Sequence, residues 1–167
     1  MLNERVMIGG AAPKQGEGTI FRALRAWKHK EHTDPVLKDR LMQFWIADEV
    51  ARLTNLRAGQ NRSKGTPGPE GSVGKIKAAS LNQKISEFTM HLLGPEAMLY
   101  PDTYSGMLER HSMDYRTDHS YFLRTRANSI EGGTSEIMRN IVGERVLGLP
   151  GDVRVDKELP WIDVPRN

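Results

Sequence analysis

The sequence predicts an all-α fold, an antiparallel helical bundle of the four-helix type followed by an extended C-terminal tail. Three observations predict it: long segments keep their apolar residues at helical spacing, glycine- and proline-rich loops separate them, and no pair of runs alternates β-branched residues as a hairpin would. At 167 residues the chain suits one domain able to bury a sizeable core. The bundle is assigned to residues 1–150 and the tail to residues 151–167.

The elements follow in order. LNERVMIGG is rich in helix formers and stops at Gly9–Gly10, so it reads as the end of a helix. AAPKQGEG is a loop. TIFRALRAWKHK forms a short helix with Ile20, Leu24 and Trp27 on one face. Asp34–Pro35 is a helix start, an N-cap followed by a first-turn proline. The helix after it runs to about Gln60 and carries Leu37, Leu41, Phe44 and Trp45, then Val50, Leu53 and Leu56. SKGTPGPEGS is the clearest loop. A second long helix spans residues 72–93, with Leu81, Ile85, Phe88 and Leu92 spaced four, three and four apart, and ends at Gly94–Pro95. The two long helices should pack antiparallel. Residues 100–112 are irregular, a helix covers Tyr115 to Ala127, and Thr134–Ser135 cap a last helix through Leu147, with Glu136 in its first turn. VRVDKELPWIDVPRN, broken by proline, is a tail packed on the bundle or on a partner.

Composition excludes several classes. There is no cysteine, so disulfides and thiolate metal sites are absent. No apolar run is long enough to span a bilayer, and MLNERVMIGG lacks the basic start and apolar core of a signal peptide. A cytoplasmic location is therefore expected. The net charge of +3 arises from many charges of both signs, and aromatics make up only 7% of the chain, without the interleaving that stacks bases. No nucleic-acid partner is expected.

Two patterns dissolve on inspection. GPEGSVGKI has the look of a phosphate-binding loop, but Pro69 stands where the first glycine should be and Ile76 follows Lys75 where a hydroxyl is needed. His29 and His32 lie among lysines with no partner set for a metal, and read as a helix end. His91, a lone histidine beside an apolar helix face, reads locally as a packing residue.

RANSIEGGTSEIMRNIVGERVLGLP is the informative segment. Two glycines before Thr-Ser-Glu bring flexible backbone to a helix N-terminus, where free N–H groups and the helix dipole suit an anion or a polar ligand. From local chemistry alone, the segment reads as a tight turn with a capped helix in preference to a ligand site. The run Ile130-Glu131-Gly132-Gly133-Thr134-Ser135-Glu136-Ile137, followed by Arg139, resembles the signature near the C-terminus of acyl-CoA dehydrogenases, and the stretch to Leu149-Pro150 is similar to actinobacterial members. SVGKIKAASLNQKISEFTMHLLGPEAM resembles the family helix leading into its flavin-contacting turn, and LNERVMIGG the start of its C-terminal domain.

The resemblance implies an FAD enzyme that oxidises an acyl-CoA thioester to the trans-2-enoyl thioester and passes electrons to a separate flavoprotein. It implies flavin contacts at His91, Gly94, Thr134 and Glu136, partly across a subunit interface, and a substrate side at Arg5, Gly132 and Gly133. Glutamine is frequent in the family where His91 stands, and Pro95 replaces a second glycine. The family's Arg-x-x-Phe-Gly run is also missing, its region being filled by AAPKQGEGTIFRALRAWKHK. A divergent subfamily with another acyl group and altered flavin binding are both open readings of these departures. Complete members carry an N-terminal helical domain and a middle β domain as well. The chain alone should accordingly hold little FAD, show no turnover, and associate with itself or with the remaining domains. The commoner family position for the catalytic base falls on Gly132, which cannot take a proton. The other falls on Glu4 of the Glu4–Arg5 pair, with Glu131 as the alternative.

Overall fold

The computed structural model describes residues 14–65, 70–99, 117–151 and 159–164. Among these it contains five α-helices and no strand: α1 (Thr19–His29), α2 (Pro35–Ser63), α3 (Glu70–Leu93), α4 (Asp118–Thr125) and α5 (Ser135–Arg145). Short 3-10 turns follow α3 at Gly94–Met98 and α4 at Arg126–Ser129, and a third spans Trp161–Asp163 in the tail. The N-terminal segment with Glu4 and Arg5, the stretch at 100–112 and most of the tail lie outside the described residues.

Helix α1 buries Ile20, Ala23 and Ala26 and ends in a left-handed turn at Glu31, φ 49°. The N–H of His32 bonds the Trp27 carbonyl at 3.4 Å and that of Glu31 the Lys28 carbonyl at 3.2 Å, the paired bonds of a Schellman motif. The His32 ring then lies against Trp27, 5.5 Å between centroids, and its Nε2 donates to the Leu92 carbonyl at 2.8 Å. This histidine is thus a structural link between α1 and α3. Helix α2 starts as its sequence demands: Asp34 Oδ1 accepts from the Val36 N–H at 2.8 Å, with Pro35 in the first helical position.

Helix α3 is the centre of the bundle. Its Ile85, Phe88 and Leu92 form the core with Ile20, Ala23, Ala26 and Leu41, and Leu37, Phe44, Trp45 and Leu81 pack against them. Phe44 meets Phe88 at 5.3 Å between rings, while Asn55 lies beside Gly74, so α2 and α3 run antiparallel as expected. Thr19 donates to Asn82 Oδ1 at 2.8 Å and His32 reaches Leu92, so α1 runs parallel to α3. Helix α4 runs antiparallel to it: His119 bonds the Glu96 carbonyl at one end, and Gln83 the Thr125 carbonyl further along.

Two features depart from the sequence expectation. Helix α4 begins at Asp118, where the Thr117 hydroxyl caps the Ser120 N–H at 3.1 Å, rather than at Tyr115. Of the apolar residues that the sequence singles out on α2, Leu37, Leu41, Phe44 and Trp45 face the core. Val50, Leu53 and Leu56, with Met42 and Ile46, form a second stripe that is exposed, Ile46 by 61% and Val50 by 58%. Periodicity alone cannot say what covers an apolar face.

Candidate functional site

The turn between α4 and α5 concentrates the polar chemistry. Its backbone needs glycine, because Gly132 has φ 63° and Gly133 φ 100°, where a Cβ is disfavoured. Thr134 then caps α5, its Oγ1 accepting from the Ile137 N–H at 3.3 Å. Glu131, just before the glycines, is held by both carboxylate oxygens. Arg124 bonds Oε2, and the Asn128 side chain donates to Oε1 at 2.7 Å. The Arg124 hydrogen bond above all, helped by Asn128 and by the charge of Lys75, holds the Glu131 carboxyl below the usual carboxylate range against the opposing effect of burial.

Lys75 reaches the turn from α3. Its Nζ donates to the Asn128 carbonyl at 2.8 Å and to the Gly133 carbonyl at 2.7 Å. Partial burial pulls this ammonium below the ordinary lysine range, with Glu131 and Glu136 acting against that shift. The sequence signal for Lys75 is weak. It shares a face of α3 with Ala79, Asn82 and Ser86, small and polar residues that read as a solvent face but pack inward.

Glu136 is exposed at the start of α5. Its carboxyl is kept below the usual range first by its own backbone N–H, then by the Thr134 hydroxyl, with Arg139 adding to both. Negative charge is therefore favoured at this helix N-terminus, as it would be for a phosphate oxygen.

The sequence-predicted site residues divide into two groups. Gly132, Gly133, Thr134 and Glu136 lie together at the Lys75 end of α3. His91 and Gly94 lie at its other end, both exposed, with Gly94 in a left-handed turn at φ 63°. His91 follows Lys75 by 16 residues on one helix, about 24 Å along the axis at 1.5 Å per residue. Beside the His91 end, Met90, Ala97, Met98, His119, Phe122 and Leu123 line a shallow apolar depression of about 330 Å³. Glu4 and Arg5 lie outside the described residues. Among the described residues, no helix is long and apolar enough to cross a membrane.

The family model described as "Acyl-CoA dehydrogenase, C-terminal domain" matches residues 1–147, and the chain belongs to that family. It is 31% identical over 121 residues to acyl-CoA dehydrogenase IpdE1 of Mycobacterium tuberculosis, covering 72% of this chain and 29% of that protein. It is 31% identical over 163 residues to IpdE1 of Mycolicibacterium smegmatis, covering 90% of this chain and 38% of that protein. The chain thus spans only 29% and 38% of the lengths of these two relatives. Two solved structures share the fold. One is titled the Tcur3481-Tcur3483 steroid ACAD, with TM-score 0.64, 16% identity and coverage of 78% of this chain and 35% of that one. The other is the ChsE4-ChsE5 complex from Mycobacterium tuberculosis, with TM-score 0.62, 23% identity and coverage of 81% and 36%.

Proposed function

We propose that this chain acts as the C-terminal domain of an FAD-dependent acyl-CoA dehydrogenase that converts an acyl-CoA thioester to the trans-2-enoyl-CoA, with an electron-accepting flavoprotein downstream. The observation that carries the reading is the Gly132–Gly133–Thr134 turn at the head of α5. Its glycines let a ligand approach the backbone, and the capped N-terminus of α5 beyond them favours negative charge. That arrangement fits the diphosphate and ribose of FAD, with Thr134 and Glu136 as contacts. FAD, when bound, supplies the hydride acceptor.

His91 stands about 24 Å along α3 from Lys75, which bonds the turn just before Thr134, and Gly94 lies just beyond the end of that helix. This spacing favours a split arrangement, in which the two ends of one domain serve the cofactors of two neighbouring subunits. The exposed stripe on α2 favours association as well, since contiguous apolar surface of this kind marks interfaces. The partner is a second copy or the chain supplying the remaining domains, and the ChsE4-ChsE5 title names an assembly of two components.

The base must take a weakly acidic α-proton, which calls for a carboxylate desolvated and raised toward neutrality. Glu131 has the opposite environment, with both oxygens bonded and its acidity increased. This favours Glu4 as the base, with Arg5, Gly132 and Gly133 on the substrate side. The glycine at 132 leaves space for a carboxylate arriving from another element.

The test is reconstitution. The chain should be purified alone and again joined to the N-terminal and middle domains of its enzyme, and both assayed for bound FAD and for acyl-CoA oxidation, steroid-derived thioesters included. FAD and turnover only in the joined form support the proposal. A joined form that binds neither FAD nor acyl-CoA overturns it.

A further inference from the structure

The exposed stripe of α2 has a charge at each end. Met42, Ile46, Val50, Leu53 and Leu56 line it. Asp39 lies just before it and Arg57 just after it, both exposed. The two are 18 residues apart, which is five full turns of helix, so they share one side of α2 about 27 Å apart along its axis. Ile46 falls within about 20° of the same line. The helix dipole does not account for this placement, because it acts within the first and last turns, and Asp39 lies past the first and Arg57 short of the last. The asymmetry runs along the whole helix: residues 35–49 carry three acids and two bases, residues 50–63 three bases and no acid.

A surface of this pattern complements itself. When a second α2 is turned end for end about a twofold axis at Asp48, midway along the interval, Asp39 of each copy meets Arg57 of the other. Ile46 of each copy then meets Val50 of the other, and Met42 comes beside Leu53. A shallow crossing of about 20° keeps two helices in contact over this length. The acids nearest the axis do not oppose the pairing. Asp48 is half-buried, one turn beyond Phe44 on the core side, and Glu49 is already paired, with Arg52 donating to both of its oxygens at 2.7 Å.

We propose that α2 pairs with α2 of a second copy of this chain, antiparallel about a twofold axis near Asp48, with the apolar stripe as the seam and an Asp39–Arg57 ion pair at each end. This rests on the reading that the stripe is an interface and commits it to one partner. An acid and a base bracketing an apolar seam on one line make a patch that closes on itself, the requirement of an isologous dimer.

The test is a charge-reversal cycle on the 167-residue chain, followed by sedimentation velocity at low salt over a concentration series. Asp39→Arg and Arg57→Asp each turn both ion pairs into like-charge contacts, and each should weaken self-association about tenfold. Asp39→Asn and Arg57→Gln only remove a charge, so they serve where a reversal disturbs the helix, and should weaken it roughly two- to fivefold. The chain carrying both reversals should associate like wild type, and an equal mixture of the two single reversals should form the mixed dimer. Recovery in both cases establishes the antiparallel pairing. Three results overturn it: a chain that stays monomeric and binds only the remaining domains, self-association indifferent to every one of these substitutions, or weakened association that neither the double reversal nor the mixture recovers. None of these bears on FAD content or turnover of the joined enzyme, so the pairing and the dehydrogenase reading fail separately.

Discussion

Arg124 grips Glu131 across the entry to the glycine turn, tying the end of α4 to the residue that precedes Gly132. With Asn128 on the other carboxylate oxygen, Glu131 is a strut of the turn. Its carboxyl lies below its ordinary value of 4.5, so its contribution is present above that value and is lost as pH falls through the lower folded-state value. Glu131→Gln should therefore destabilise the chain at neutral pH by about 1 kcal/mol or less, the range for a partly exposed pair. The difference from wild type should vanish in acid. Denaturant titrations from neutral pH down to well below pH 4.5 check this; a difference that grows in acid would contradict the assignment.

Thr134 caps α5 through Ile137. Thr134→Ala should cost roughly 0.5–2 kcal/mol and speed amide exchange in the first turn of α5, with Thr134→Ser retaining most of the stability. Hydrogen exchange read residue by residue along 135–139 distinguishes this from a general loss.

Phe88 is 1% exposed at the centre of α3, its ring against Phe44. Phe88→Ala should cost about 3–5 kcal/mol, enough to threaten the fold of a marginally stable domain. A chemical-denaturation midpoint close to wild type would show that the core is not centred here.

The α2 stripe behaves differently. Ile46→Ser with Val50→Ser removes apolar surface already in water, so the monomer should lose only about 0.5 kcal/mol or less per site. Self-association, or affinity for the remaining domains, should fall. Sedimentation velocity over a concentration series, with and without those domains, reports it; unchanged association would mean the stripe is not an interface.

Most of the fold could be read from local signals. Asp34–Pro35 begins α2, the Leu81, Ile85, Phe88 and Leu92 spacing faces the core, and Thr134 caps α5, because each rests on a rule spanning one or two turns of helix. What escaped depends on contacts between distant segments. The polar face of α3, with half-buried Asn82 and Gln83 and buried Ser86, looks like solvent surface until α1 and α4 cover it. The Schellman turn at Glu31 lacks the glycine that usually marks one. The family signature located the turn, but the Arg124 and Lys75 contacts that shape it come from residues 7 before Glu131 and 53 before Asn128.

The most direct test of the central claim is turnover of the joined enzyme carrying Glu4→Gln, measured with flavin content on the same sample. The substitution removes a proton acceptor and little volume, and loss of a general base costs about 10²–10⁴ in rate. Turnover reduced by that factor with flavin fully retained is the expected result, alongside a Glu131→Gln enzyme that is less stable in neutral solution but still active. Near-normal turnover in Glu4→Gln together with a dead Glu131→Gln enzyme would contradict it.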